Sequence, residues 1–341
     1  MAKVTIEDVA MRAGLSVATV DRVINARASV RPKNQSRVEA AVRALNYQPD
    51  RLAVRLARMR HYSFCFVLPR GDNLFMRNLE AEISAHARHL EGERVRADIL
   101  YTDVFDADAL TASLNQINGV YDGIAVVALD HPRVRDAINR LVESGAKLVT
   151  LVSDVPGSER RHFVGIENAA AGRTAATLLG RYLGGRSGKV AVIAGSLALR
   201  DHAERHFGFA QIMGSEFAHL KQLPVAEGRD NAERSAAVAT HLLETHPDLI
   251  GLYVAGAGTT GIIDVLKKKN RARDIVVIAH ELNEPTRAAL LDGTIDAVIS
   301  QDAGHEARSA MRVLMAMCDK APIIAAQERI SVDIFVKDNL P

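Results

Sequence analysis

From residue 61 onward, short apolar runs alternate with amphipathic helical patterns, and this alternation limits the possible folds most strongly. Short apolar runs without polar alternation are typical of strands that are buried on both faces of a sheet. The predicted strands are residues 64–68, 97–101, 123–128, 147–151, 189–194, 249–254, 275–279 and 297–300. Helical patterns separate most of them, for example at 78–90, 134–144, 169–183 and 261–268. Repeated β-α units predict an α/β fold with parallel sheets that are covered by helices on both faces.

The size of this α/β region predicts two lobes. About 280 of the 341 residues belong to it, which is more than a single hydrophobic core comfortably holds. Apolar residues make up 48% of the chain and charged residues 25%, a balance that excludes a disordered chain and a coiled-coil rod. Because ligands of parallel sheets bind beyond the carboxyl ends of the strands, we expect the functional residues in the loops that follow the strands.

Residues 1–60 differ from the rest of the chain in their charge. They contain twelve basic and five acidic residues, a net charge of +7, whereas the remainder carries −5. A basic segment joined to a mildly acidic body is typical of a nucleic-acid-binding domain fused to a second domain.

Two short helices are predicted at the start of the basic segment. Residues 5–13 have an i, i+3, i+4, i+7 apolar face, and Thr5 is placed to cap them. Gly14 ends this helix because it can adopt the left-handed conformation, and Ser16 caps a second helix at 17–25. Two short helices joined by a turn that contains glycine form a helix-turn-helix.

A third helix is predicted to begin at Pro32 and to run to residue 45, which completes a small three-helix core. The sequence Asn-Tyr-Gln-Pro at 46–49 then breaks the helical pattern. Residues 50–58 can form another helix, but it is basic and too short to be stable alone. These properties suit a segment that becomes ordered only on DNA.

Composition also bears on the cellular compartment. No run of about 18 apolar residues is present, and acidic residues occur within the first ten positions, so we expect neither a membrane span nor a secretory signal. Cys65 and Cys318 each lie within an apolar pattern, which favours a reducing environment over a disulfide framework or a zinc site. The expected localisation is therefore cytoplasmic.

The segment GAGTTG at residues 256–261 fits the glycine pattern of dinucleotide-binding loops. It follows a predicted strand, opens a helix, and has Glu281 20 residues after Gly261. However, it lies in a late β-α unit of a chain that begins with a DNA-binding segment. A nucleotide-dependent enzyme is therefore kept as an alternative, and no cofactor is predicted.

His202 and His206 are four residues apart on a predicted helix, a spacing that can hold a metal ion. Histidines that bond sugar hydroxyls in a cleft are at least as plausible, so no metal is predicted. No activated nucleophile with an adjacent base is recognisable, and the chain is not expected to be an enzyme.

The N-terminal segment closely resembles the headpiece of the LacI/GalR family of bacterial transcription regulators. The resemblance is carried by TIEDVAMRAGLSVATVDRVINARASVRPKNQSRVEAAVRALNYQPDRLAVRLA. The body is similar to the sugar-binding proteins, related to periplasmic ribose receptors, that this family fuses to its headpiece. The body segments that carry this similarity are FCFVLPRGDNLF, LVTLVSDVPGSERRHFVGIENAAAG, HAERHFGF and DIVVIAHELNEPTRAALLDGTIDAVISQD. Together, the two similarities cover nearly the whole chain.

The resemblance implies an all-α helix-turn-helix headpiece, then a two-lobed body of the periplasmic-binding-protein type built from parallel α/β sheets. The implied domains are the headpiece at 1–48, a hinge helix and linker at 49–61, and the effector-binding body at 62–341. Within the body, lobe 1 is expected at about 62–165 and 297–326, and lobe 2 at about 166–296 and 327–341.

The same resemblance places the second helix in the major groove of DNA. Val17, Ala18 and Arg22 then face base edges, where an arginine can bond guanine and small apolar side chains can touch a thymine methyl. Thr5, Thr19 and Asn25 contact phosphates, and Leu56 enters the minor groove and kinks the DNA. Asp21 stands where the family usually has Ser, which puts the local phosphate contact in doubt.

In the body, the resemblance implies an effector site formed mainly by polar residues. The implied contacts are Asn73, Phe75, Asp130, Asp154, Arg205, Glu281 and Gln301. Carboxylates and arginine can bond neighbouring hydroxyl groups, and an aromatic ring suits the apolar face of a sugar. Glu281 stands where the family usually has Asp, and it follows His280 rather than an aromatic residue.

These features predict a repressor of carbohydrate-use genes that binds double-stranded operator DNA as a homodimer and is released by a sugar or sugar derivative. The opposite sign, with the effector as co-repressor, remains open. A solute-binding sensor whose basic head is only a docking segment is the second alternative, and it predicts DNA binding without sequence preference.

Overall fold

The computed structural model describes residues 4–24, 30–47, 61–71 and 73–341. The chain divides into two compact units, Met1–His61 and Tyr62–Pro341. The predicted hinge helix at 50–58 lies outside the described residues, and so do Asn25 and Leu56.

The described residues of the first unit form three helices, as predicted: α1 (Ile6–Ala13), α2 (Val17–Ile24) and α3 (Pro32–Leu45). The Thr5 side chain accepts a hydrogen bond from the Asp8 backbone, and Asp8 accepts one from the Thr5 backbone, which completes a capping box. Gly14 ends α1 at φ 61°, in the left-handed region that glycine adopts readily. The core of this unit is formed by Val9, Ala10, Ala13, Val20, Val38 and Ala41.

The second unit begins with a five-stranded parallel sheet in the order β2-β1-β3-β4-β5. Its strands are β1 (Tyr62–Pro69), β2 (Val95–Thr102), β3 (Gly123–Val126), β4 (Lys147–Leu151) and β5 (His162–Val164). The helices in this part of the chain are α4 (Leu74–His89), α5 (Ala107–Gln116) and α6 (Pro132–Glu143), with one 3-10 turn at Glu91–Glu93. This sheet forms lobe 1.

The second sheet has the order β12-β11-β10-β9-β6-β7, and β8 also pairs with β6. Its strands are β6 (Gly188–Ala194), β7 (Leu220–Gln222), β8 (Ala226–Glu227), β9 (Leu249–Val254), β10 (Val276–His280), β11 (Ala297–Gln301) and β12 (Val332–Phe335). The helices are α7 (Asn168–Leu183), α8 (Arg200–Glu216), α9 (Ala232–Thr245), α10 (Thr259–Lys268), α11 (Glu284–Asp292), α12 (Ala303–Cys318) and α13 (Ala325–Glu328). All pairs in this sheet are parallel except β11 with β12.

The point where the chain returns to lobe 1 differs from the expected one. Residues 297–301 are expected in lobe 1, but β11 is hydrogen-bonded to β10 and β12 in the second sheet. The next helix, α12, instead packs on β3, β4, β5 and α4 of the first sheet. Because β11 has its backbone partners in the second sheet, it belongs to lobe 2. The chain therefore crosses to lobe 1 after Gln301.

Helices α7 and α8 cross at very short distance because two glycines allow it. A Cβ atom at Gly172 would overlap the Arg205 carbonyl, and one at Gly208 would overlap the Ala169 carbonyl. This crossing fixes where α8 presents its polar side chains. Across the ranges described above, no helix combines the length and the apolar character that a bilayer span requires.

Candidate DNA-binding surface and ligand cavity

Helix α2 exposes the residues that were expected to face DNA bases. Val17, Ala18 and Arg22 are exposed, whereas Val20 on the opposite face is fully buried. Arg22 has no carboxylate within ion-pairing distance among the described residues, so its guanidinium can bind an external acceptor. The helix therefore presents one cationic and two small side chains to the solvent.

The two described residues that were expected at phosphates already make local hydrogen bonds. The backbone amide of Thr5 donates to Asp8 at 2.8 Å, and the Thr5 hydroxyl belongs to the capping box. The Thr19 and Ser16 hydroxyls lie 2.9 Å apart. Their phosphate contacts stay predictions.

A cavity of about 700 Å³ lies in the body at the carboxyl ends of strands from both sheets, where parallel sheets bind ligands. Its volume is within the range of small-molecule sites. Five of the seven expected effector residues line it: Asn73, Phe75, Arg205, Glu281 and Gln301.

Arg205 and Asp201 are two buried charged residues on one face of α8. The Arg205 Nε donates to Asn168 Oδ1 and its Nη1 to the Ala255 carbonyl, both at 2.9 Å. Its Nη2 and the Asp201 Oδ1 have no partner among the described residues. Burial raises the pKa of Asp201, but electrostatic interactions with His202 and Arg205 bring that pKa below its usual value. A charged donor and a charged acceptor are thus both available to a ligand.

Glu281 and Gln301 form another part of the cavity wall. The Gln301 Nε2 donates to Glu281 Oε1 at 2.9 Å, and the Gln301 backbone amide donates to Oε2 at 3.2 Å. Burial raises the pKa of Glu281 despite these bonds and despite the positive charge of Arg205. The Gln301 Oε1 has no partner among the described residues and can accept a ligand hydroxyl.

His280 is held neutral beside Glu281. Its Nε2 lies 2.7 Å from the Tyr253 hydroxyl, and its Nδ1 is unpartnered within the described part of the chain. Burial lowers the pKa of His280 well below its usual value. A neutral imidazole at the cavity wall can bond a ligand hydroxyl without adding charge.

Packing explains the three glycines of the GAGTTG segment. A Cβ at Gly256 would meet the Asp230 carboxylate, and one at Gly261 would overlap the Ala232 carbonyl. Gly258 has φ 86°, a conformation that favours glycine. The Asp230 Oδ1 accepts a hydrogen bond from the Ala257 backbone amide at 2.8 Å. These packing contacts explain the glycine spacing of GAGTTG, so that spacing does not require a bound nucleotide.

Among the described residues, side-chain contacts join the two lobes at and near the cavity. Asn73, which caps α4, donates from Nδ2 to Asp230 Oδ2 at 3.4 Å. The Arg229 guanidinium carbon lies 5.4 Å from the centre of the Phe105 ring. Beyond the cavity wall, the Arg200 Nη1 lies 3.6 Å from Asp130 Oδ2.

The structure does not bring Asp130 and Asp154 to the cavity wall, which departs from the expectation for both residues. Asp130 instead pairs with Arg135 at 2.9 Å and with Arg200. Asp154 is bonded by the Arg160 guanidinium, and it also accepts from the Thr150 hydroxyl at 2.6 Å. Their carboxylates are occupied by neighbouring side chains, so a ligand contact at these positions is not supported.

His202 and His206 point to different neighbours. The His202 Nε2 lies 3.7 Å from Asp201 Oδ2 and 3.9 Å from Asp230 Oδ1, at the cavity. The His206 Nε2 lies 3.1 Å from the Gln222 amide nitrogen, and the residue does not line the cavity. Within the described ranges, no three metal-ligating side chains cluster as a metal site requires.

Sequence reasoning missed several charged residues of the wall. These are Arg70, Asp103, Arg229, Asp230 and Arg234. Each lies in or just after a loop that follows the carboxyl end of a strand, which is the signal that could have found them. However, Arg229, Asp230 and Arg234 follow β8, whose two residues form no recognisable apolar run.

Comparison with known proteins gives matches along nearly the whole chain. A model of the bacterial regulatory proteins of the LacI family matches residues 5–50, and a model of the periplasmic binding protein domain matches residues 64–322. The chain is 22% identical over 335 residues to the ribose operon repressor of Bacillus subtilis, which covers 94% of this chain and 93% of that protein.

Two further matches agree with this division. Catabolite control protein A of Staphylococcus epidermidis is 28% identical over 181 residues, which cover 44% of this chain and 55% of that protein. The chain thus spans about half the length of this curated relative. The solved structure of GanP, a glucose-galactose binding protein from Geobacillus stearothermophilus, matches with a TM-score of 0.75 and 23% identity, over 83% of this chain and 99% of that one. This likeness shows the fold of the body.

Proposed function

The chain belongs to the LacI family of bacterial regulatory proteins, with a body of the periplasmic binding protein type, and from this premise we propose that it is a sugar-responsive transcriptional repressor. The observation that carries the proposal is the exposed face of α2, on which Val17, Ala18 and Arg22 are exposed and Arg22 has no ion-pair partner among the described residues. An unpaired arginine at a helix surface can form the bidentate contact with guanine that most often specifies a base pair.

The cavity supports a polar, hydroxyl-rich ligand. The buried and unpartnered atoms Asp201 Oδ1, Arg205 Nη2 and Gln301 Oε1 combine one donor group with two acceptors, and Phe75 supplies an apolar surface. Leaving buried polar groups unsatisfied is costly, so a ligand that bonds them gains specificity. Two of the matched proteins are a ribose operon repressor and a glucose-galactose binding protein, which supports a sugar as the ligand class.

Two headpieces on a pseudo-palindromic operator require at least a homodimer, which acts in the cytoplasm where the DNA is. The ligand shifts the two lobes, and residues 48–60, which lie in sequence between the three helices of the headpiece and the body, transmit the change to the headpiece. By thermodynamic linkage, a ligand that weakens operator binding must itself bind more weakly to the operator-bound protein.

A selection from random duplex DNA tests the proposal. We expect the full-length chain to enrich a two-fold symmetric sequence, and Arg22→Ala to lose preference at one position of each half-site, because its bidentate contact is removed. Arg173→Ala removes the same charge from the surface of α7, where Arg173 pairs with Glu167, and serves as the matched control. Affinity measurements on the enriched and shuffled sequences quantify the preference.

Two results would contradict the assignment. If no sequence is enriched and binding falls steeply with salt alone, the chain is a solute-binding sensor with a basic docking segment. If Arg22→Ala keeps the preference of the wild type, α2 is not the recognition helix.

A further inference from the structure

The cavity has a cationic end that the binding of neutral sugar hydroxyls does not require. Arg70 follows β1, and its backbone amide donates to the Thr102 carbonyl at 2.8 Å, which places it beside the end of β2. Arg229 follows β8, and Arg234 lies in the first turn of α9. All three line the cavity, and we call them the arginine end.

The arginine end forms no ion pair within the described part of the chain, although carboxylates line the same cavity. None of its three guanidinium groups has a carboxylate within ion-pairing distance among the described residues, although fourteen other pairs of a lysine or arginine with a carboxylate are formed there. Asp103 also lines this end, but its Oδ1 accepts from the Phe105 backbone amide at 2.9 Å. Asp230 turns its two oxygens to the Ala257 amide and to Asn73.

The opposite end of the cavity is built from different chemistry. Glu281 follows β10, and Gln301 ends β11, whereas Arg229 follows β8. In the second sheet, β9 and β6 lie between β10 and β8, so with neighbouring strands about 4.8 Å apart the two strand ends are roughly 14 Å apart. Because arginine side chains are long, the distance from their guanidinium groups to Glu281 and Gln301 is shorter than the distance between the strand ends. A ligand that touches both ends therefore needs a polar ring and a charged substituent.

Between these two ends, the cavity wall offers polar groups that can hold a ring. Arg205 and Gln301 are 3% and 6% exposed, and each has one unpartnered polar atom at the cavity. We propose that the ligand is an anionic monosaccharide derivative, which places its hydroxyl groups on Asp201, Arg205 and Gln301 and its phosphate or carboxylate at the arginine end. Guanidinium groups suit both anions because their paired donors match two acceptor oxygens. This inference rests on the proposed function and narrows its ligand class.

Paired ligands test the inference with the full-length chain. Calorimetric titration compares D-ribose with D-ribose 5-phosphate, D-glucose with D-glucose 6-phosphate, and D-glucose with D-glucuronate. We expect an anionic member to bind at least tenfold more tightly than its neutral parent. The phosphate and carboxylate arms then identify which anion the arginine end takes, and added salt should weaken the anionic member alone.

Substitution of the arginines assigns the preference to this end of the cavity. Arg229→Gln combined with Arg234→Gln should reduce the affinity of the preferred anionic ligand to about that of its neutral parent. Arg173→Gln, at a partly exposed arginine of α7 outside the cavity, should leave the preference intact. Because the substituted arginines are exposed, thermal unfolding of the ligand-free variants should match the wild type, which verifies their folding.

The results separate this inference from the function on which it rests. Equal or tighter binding of the neutral sugars, or a preference that survives the double substitution, overturns the anionic assignment and leaves a sugar-responsive repressor. If no member of any pair binds, the ligand class of the proposed function fails together with the inference.

Discussion

Glu306 is a fully buried acid in the first turn of α12, the helix that follows the crossing between the lobes. Both of its carboxyl oxygens lack a partner within the described part of the chain. Burial, reinforced by the negative charge of Glu281, raises the pKa of Glu306 well above its usual value. The folded protein therefore holds this carboxyl neutral, while the unfolded chain ionises it.

The consequence is a pH-dependent stability that Glu306→Gln should remove. A raised pKa in the folded state favours folding at pH values below the usual carboxyl pKa, and this contribution is lost as the pH rises towards the folded-state pKa. Each unit of upward shift costs about 1.4 kcal/mol of unfolding free energy at neutral pH. We expect the Tm of Glu306→Gln relative to wild type to rise between pH 5 and pH 8.

Thermal unfolding at a series of pH values measures this difference. Glu143→Gln, at an exposed position at the end of α6, is the matched control. A Tm difference for Glu306→Gln that stays constant across the series would show that the residue does not titrate as its burial requires.

Single residues also show how far sequence reasoning reached. Asn73, Phe75, Arg205, Glu281 and Gln301 line one cavity, as the resemblance implied. The sequence does not show that Asp130 and Asp154 lie outside this cavity. Their carboxylates pair with arginines that come near them only in the folded chain. The role of each lining residue in binding a ligand stays a prediction.

At the scale of helices and strands, buried apolar runs were a reliable guide. All eight predicted strands are present. The strands that escaped prediction have two to four residues: β5, β7, β8 and β12. A run this short shows no periodicity, and β12 lies at the sheet edge with both of its central residues exposed. The sequence of β11 shows that it is buried, but not to which sheet it belongs.

The close crossing of α7 and α8 gives a test at this scale. Gly208→Ala should lower stability by about 1–3 kcal/mol, because the new methyl group would overlap the Ala169 carbonyl. Gly214→Ala on the same helix meets no atom within 4 Å and should raise stability by about 0.5–1 kcal/mol. Thermal or denaturant unfolding measures the stability of both variants. If Gly208→Ala and Gly214→Ala change the unfolding free energy with the same sign and by the same amount, the crossing of α7 and α8 tolerates a side chain.

At the scale of the whole molecule, the charge division was already visible in the sequence. A net charge of +7 in residues 1–60 suits a polyanionic partner, whereas the net charge of −5 in the remainder does not. The identity of the ligand was not readable, because its chemistry depends on side chains from loops of both lobes. In the proposed repressor, ligand binding in the cavity and DNA binding by the headpiece are energetically coupled.

That coupling is measured by titrating the enriched duplex with the full-length chain, with and without a saturating sugar or sugar phosphate that binds by calorimetry. We expect the ligand to weaken DNA binding about 5–150-fold and the duplex to weaken ligand binding by the same factor. Arg205→Lys keeps a positive charge beside Asp201 but loses the guanidinium donors, so its DNA affinity should persist without a ligand effect. Unchanged DNA affinity of the wild type while the ligand is demonstrably bound would contradict the account.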